Sequence, residues 1–152
     1  MSGSWDPKQF PKLTDVDHTV TSPLDRRYNC IAWAADDTAS KWWPDQFNIG
    51  KWPPGTPRAE TPEAFIEAYG TLGYAKCDTG THEPGIEKVA LYAVREADNS
   101  LTPTHAARQL ENGNWTSKLG DFEDIEHATL DNLEDGPYGK AIIYLQRPRK
   151  TP

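Results

Sequence analysis

Cysteine is scarce. Cys30 and Cys77 alone cannot staple a small scaffold, so a hydrophobic core has to hold the fold, with a single bridge between the two left open. Basic charge is also short: 16 Lys plus Arg against 23 Asp plus Glu give a net charge of −7, which argues against a nucleic-acid backbone as the main partner. Long apolar runs are missing. The start, MSGSWDPKQFPKLTDVD, has no stretch of signal-peptide length, and no window nears the roughly 18 apolar residues of a membrane span. A soluble, cytoplasmic protein with no membrane partner is expected, non-classical secretion remaining compatible. The chain has no phosphate-cradling glycine loop, zinc-protease helix, G-x-S-x-G elbow or internal repeat. Cys77 and His82 make a C-x4-H pair without a second close pair to complete four zinc ligands. The acidic DFEDIEH stretch lacks the glycine and the spacing of a calcium loop, so neither metal nor cofactor is expected.

Hydrophobic residues reach only 36%, yet 6 Trp, 6 Tyr and 4 Phe supply large buried area per residue and favour a folded chain over a disordered one. A chain of 152 residues fits one domain, which buries about 70% of the surface its unfolded form exposes. Residues 1–27 hold Pro7, Pro11 and Pro23 and show no period, reading as an extended arm before a domain over 28–147 and a short tail over 148–152.

Asn29 is a good N-cap for a helix of about three turns that carries Cys30, Ile31, Trp33, Ala34 and Ala35 and stops near Trp43, before Pro44. A Pro-rich loop spans 44–60. Its aromatics, Trp42, Trp43, Phe47 and Trp52, either cap the core or line a groove. Thr61 as N-cap, Pro62 at the first helical position and Glu63 open a second helix that ends near Gly73. The period then changes to two, with strands expected over 73–77, 87–95, 104–110, 115–119 and 141–146, and a short helix over 121–133. Asn112-Gly113 marks one hairpin and the ADNS stretch at 97–100 a second. This order predicts an α+β fold, N-terminal helices packed on an antiparallel sheet.

Cys30 falls in the first turn of the predicted helix, where unpaired N–H groups and the helix dipole favour a thiolate. As a bland alternative, it is one more small apolar residue on a buried face. Among the four histidines, His105 alone begins a regular strand, which makes it the best partner for the thiol; His18 sits in the arm, His82 in a Gly-containing loop and His127 after the last hairpin.

A Cys on an N-terminal helix followed by an antiparallel sheet with His at the head of a strand resembles the core of the papain-like cysteine peptidases. NCIAWAA is similar to the papain-type helix start, although Trp33 is three residues after the Cys rather than adjacent. THAARQLENGNWTSKLG resembles the His hairpin of the small bacterial cell-wall amidase branch, and the YNCIAWA and SKLG strings resemble a group of small bacterial proteins of unknown function. The resemblance implies a papain-like core and a triad: Cys30 as nucleophile, His105 as proton shuttle, and a third residue at Ser117 by the small-branch spacing or Asp121 by the papain-type spacing. The papain-type Gln before the Cys is missing from SPLDRRYN, so the oxyanion and substrate side falls to the Cys30 N–H with Asn29, Tyr28 and Trp33.

Two functions follow as expectations. One is a cysteine-dependent hydrolase or acyl transferase acting on an amide bond of a peptide, protein or cell-wall stem. The other is a non-catalytic protein-binding module on the same fold, using the Trp-rich loop and the acidic surface.

Overall fold

The computed structural model describes residues 3–150. Asn29 caps the first helix, α1 (Cys30–Ala34), by accepting the Ala32 N–H at 3.1 Å. The helix is far shorter than the predicted three turns. Asp36 adopts a left-handed conformation (φ 64°), and the Asn29 amide binds both the N–H and the C=O of Trp42, so the chain turns back on the helix start instead of continuing it. Helix α2 (Pro62–Gly70) follows its punctuation: Thr61 accepts from Ala64 N–H at 3.2 Å and Pro62 opens the first turn.

Seven strands form one antiparallel sheet: β1 (His18–Ser22), β2 (Ala75–Cys77), β3 (Ile86–Arg95), β4 (Leu101–Gln109), β5 (Trp115–Lys118), β6 (Asp124–His127) and β7 (Lys140–Pro148), in the order β1-β6-β5-β4-β3-β7-β2. The fold is α+β. The expected strands appear with shifted ends, and both predicted hairpins form, closed by Glu96 N–H on Ser100 C=O and by Leu110 N–H on Asn114 C=O, each at 2.8 Å, the latter with Gly113 at φ 91°. The segment expected as a helix over 121–133 is instead β6 plus a 3₁₀ turn, Leu130–Leu133, because Ile125 and His127 alternate inward in register with Ser117 and Trp115. Gly139 is needed where β7 begins: a Cβ there would lie 2.2 Å from Ala93 C=O, at the bulge where β3 shifts register.

Residues 3–27, expected as an extended arm, instead join the sheet and its core. Strand β1 pairs with β6, and Trp5 and Phe10 are buried against the sheet. Two cores result, one on each face. Helices α1 and α2 cover the first, packing Ile31, Phe65 and Tyr69 on Val89, Leu91, Ala106 and Leu145. The second holds Ala90, Tyr92, Ala107, Trp115 and Ile125 under Trp5, Phe10 and Leu133. Each large apolar side chain so buried contributes about 1.5–3 kcal/mol. No helix among the described residues is long and apolar enough to cross a membrane.

Candidate functional site

Cys30 sits at the start of α1 with its Sγ directed at the backbone of β4, donating weakly to Thr104 C=O at 3.8 Å. It belongs to the helical core. Burial pushes its thiol up to about 11, the opposite of the lowering expected from the helix start. A five-residue helix has little dipole to offer, and the cost of an ion away from water exceeds it. Cys30 and Cys77 are both free, so the bridge left open by the sequence does not form.

His105 is on the other face. Successive strand residues point to opposite sides. Thus Ala106 joins the core with Cys30, whereas His105 stacks on Tyr138 (4.1 Å, 11°) and meets Tyr92 edge-on at 5.2 Å, both in the second core. Both ring nitrogens of His105 are buried with no hydrogen-bond partner among the described residues. Burial holds its pKa well below the ordinary value, so the ring is neutral. The strand thus places the imidazole across the sheet from the thiol.

Neither proposed third residue reaches His105. Ser117 is fully buried and its hydroxyl bonds Nε2 of His127 at 2.8 Å. Because a carbonyl only accepts, the bond between His127 Nδ1 and Thr129 C=O (2.9 Å) puts the proton on Nδ1, and Nε2 accepts from Ser117 Oγ. Asp121 lies in the exposed turn after β5, paired with Lys41 at 2.9 Å.

The residues expected on the substrate side are spent on structure. Asn29 caps α1 and ties Trp42. Tyr28 donates its hydroxyl to buried Asp124 at 2.8 Å, with Thr21 Oγ1 on the other carboxylate oxygen at 3.1 Å. Trp33 Nε1 donates to Thr116 Oγ1 at 2.9 Å. Lys118 is the neighbour that sequence reasoning missed: wholly buried, it lies 5.0 Å over the Tyr28 ring and donates to the Gly120 and Phe122 carbonyls. Its alternation with Ser117 in WTSK was the available signal, since it puts Lys118 on the helical face with Thr116.

A groove does form, from the Trp-rich loop. It encloses about 680 Å³ between Trp43, Ile49 and Trp52, with Lys41, Lys51 and Arg58 around it and Asn29 at its inner end. Asp45 organises the loop by accepting from the N–H groups of Phe47, Ile49 and Gly50 (3.1, 2.8 and 2.6 Å), which draws its pKa down. Arg58 clamps the ends through Asp45 C=O at 2.8 Å and Gly50 C=O at 2.7 Å. Trp42 and Trp52 cap the core, edge-on to each other, whereas Phe47 and Ile49 are 82% and 84% exposed.

The family described as Domain of unknown function (DUF7689) matches residues 19–146, most of the chain. The chain belongs to this family. No curated protein and no solved structure matches it. In this DUF7689 chain the matched stretch includes the groove, Cys30, His105 and Ser117, but not Trp5 and Phe10, which close the second core. Among the described residues no three His, Cys, Asp or Glu side chains come together as a metal site.

Proposed function

We propose that the chain is a non-catalytic protein-binding module, a papain-like arrangement of helix on antiparallel sheet in which Cys30 and His105 serve the two cores. The observation that carries this reading is the pre-formed groove of the Trp-rich loop, with Ile49 exposed at its edge and an apolar floor between Trp43 and Trp52. A loop already held by Asp45 and Arg58 loses little further entropy on binding. The three cations that line the groove are each already paired, Lys41 with Asp121 at 2.9 Å, Lys51 with Asp37 at 3.1 Å and Arg58 with Asp45 at 3.4 Å. The groove suits a partner segment that inserts one apolar or aromatic anchor. The two unpaired thiols suit a reducing, cytoplasmic compartment. A hydrolase, by contrast, needs thiol and imidazole in one site, and their placement on opposite faces favours the module.

Selection of a random peptide library on the protein tests the reading, with binding of the enriched peptides remeasured on Ile49→Asp. Exposed Ile49 makes no core contact, so the variant keeps the fold. Peptides with an apolar anchor that bind the parent protein and weaken about tenfold or more on Ile49→Asp are expected. Peptides whose binding ignores the substitution, or no enriched family at all, would overturn it. Rapid alkylation of Cys30 by iodoacetamide near neutral pH would do the same from the other direction, by showing an accessible thiolate.

A further inference from the structure

A second site lies away from the groove, where the strand ends meet on the helical face. Glu87, Arg108 and Arg147 follow the period of Val89, Ala106 and Leu145, and so project to the same side of the sheet. Arg149, just past β7, joins them, its N–H bonded to Gly85 C=O at 2.8 Å. All four side chains are 10–14% exposed. One carboxylate therefore faces three guanidinium groups.

The match is incomplete. Arg147 satisfies Glu87 Oε1 from Nε at 3.0 Å and Nη2 at 2.9 Å, with Nη1 on Leu72 C=O at 2.7 Å and its plane 4.4 Å from the Tyr74 ring. Arg149 donates Nη2 to the Ile86 and Gln109 carbonyls at 3.2 and 3.4 Å, but its Nη1 is 3.7 Å from Glu87 Oε2. Arg108 Nη1 is 3.8 Å from the same oxygen, and its Nε is buried with no hydrogen-bond partner among the described residues. The Tyr74 hydroxyl is buried beside Glu87, with no partner at full hydrogen-bonding distance among the described residues. An unmatched buried donor costs about 1–3 kcal/mol, more when charged, so the cluster as it stands is short of acceptors.

We propose that this cluster is an oxyanion site that takes a phosphate-type dianion. Within the cluster three cations face one carboxylate, and Lys150 at the adjoining cavity offsets one of the two carboxylates there, Asp36 and Glu111, so positive charge stays in excess for an anion. Guanidinium forks present paired donors to tetrahedral oxyanions, a geometry that a lysine does not offer. A cavity of about 390 Å³ reaches the Arg147 and Arg149 side of the cluster, lined by these two with Glu87 and Leu110 and not by Arg108 or Tyr74. Lys150, Asp36 and Glu111 stand exposed at its mouth, where water and salt screen their charges. Glu87 keeps the three arginines from repelling one another while the site is empty.

The test is a titration of the whole protein with inorganic phosphate at constant ionic strength balanced by chloride, reading the arginine Nε–H resonances and the thermal midpoint. Acetate is titrated in parallel as the carboxylate source. Saturable shifts at arginine Nε–H signals and a raised midpoint with phosphate, much weaker with acetate, are expected. In Arg149→Gln, which removes a residue outside the strands, phosphate affinity should fall about tenfold or more while the unliganded midpoint changes little. No saturable response, an equal response to acetate, or undiminished phosphate affinity in the variant overturns the assignment. The parent titration alone decides if the variant fails to fold.

Discussion

The two faces of the sheet differ in the buried polar groups they hold. On the helical face they are charged and balanced by partners: Asp124 by Tyr28 and Thr21, Glu87 by Arg147, Lys118 by two backbone carbonyls. Across the sheet two histidines are kept neutral, His127 through Ser117 and Thr129, His105 through aromatic stacking alone, while Lys88 keeps its charge through Glu83 at 2.7 Å and Thr79 C=O at 3.0 Å. Charge survives where side chains long enough to carry a counter-ion reach it; an imidazole needs none while it stays uncharged. The histidines are therefore what exposes the second face to failure in acid.

The largest effect should come from breaking the helical face. Phe65 has no exposed surface and meets Trp43 and Trp52 edge-on. Phe65→Ala is expected to lower unfolding free energy by about 3–5 kcal/mol in denaturant titrations and to collapse the groove, abolishing peptide binding. Retention of binding at full strength would show that the loop stands without α2.

Acid sharpens the comparison from the other face. Burial lowers His127 from 6.5 to about 4, so the unfolded chain binds a proton that the folded one refuses. Its stabilising contribution is whole above the unfolded value and is lost as pH falls from 6.5 toward 4. At 1.36 kcal/mol per pH unit the loss approaches about 3 kcal/mol, and buried His105 shifts the same way. Unfolding measured across that window should show the slope, and His127→Gln should make it shallower. An unchanged slope in the variant would place the acid sensitivity in the carboxylates instead.

The smallest effect belongs to a residue that the sequence made a triad candidate. Asp121 and Lys41 are each about half exposed. Asp121→Asn should change stability by less than about 0.5 kcal/mol, as exposed ion pairs do. A loss of a full kcal/mol by denaturant melt would give the turn after β5 a role that its surface position does not suggest.

Helix α2, the hairpins and most strands were legible because each is announced within a few residues: Thr61-Pro62 opens a helix, Asn112-Gly113 allows the positive φ of a tight turn, and EKVALYAVR runs into β3. Strand β1 was hidden because its burial alternates only weakly along HTVTS and its partner β6 lies about a hundred residues away. The end of α1 was misplaced because the competing bonds, from Asn29 to Trp42, are tertiary. The Arg trio escaped notice since its members come from two strand ends, β4 and β7, that are distant in sequence, with only RPR hinting at them.

Local pattern alone thus determined that this chain forms two helices and an antiparallel meander, and that Cys30 opens the first of those helices. Which face of the sheet receives each side chain was decided by tertiary structure. Strand side chains alternate, so a shift of one residue in register exchanges the faces, and nothing short of the packed sheet specifies that register. By that rule Cys30 and His105 were parted, and Arg108, Arg147 and Glu87 were brought together.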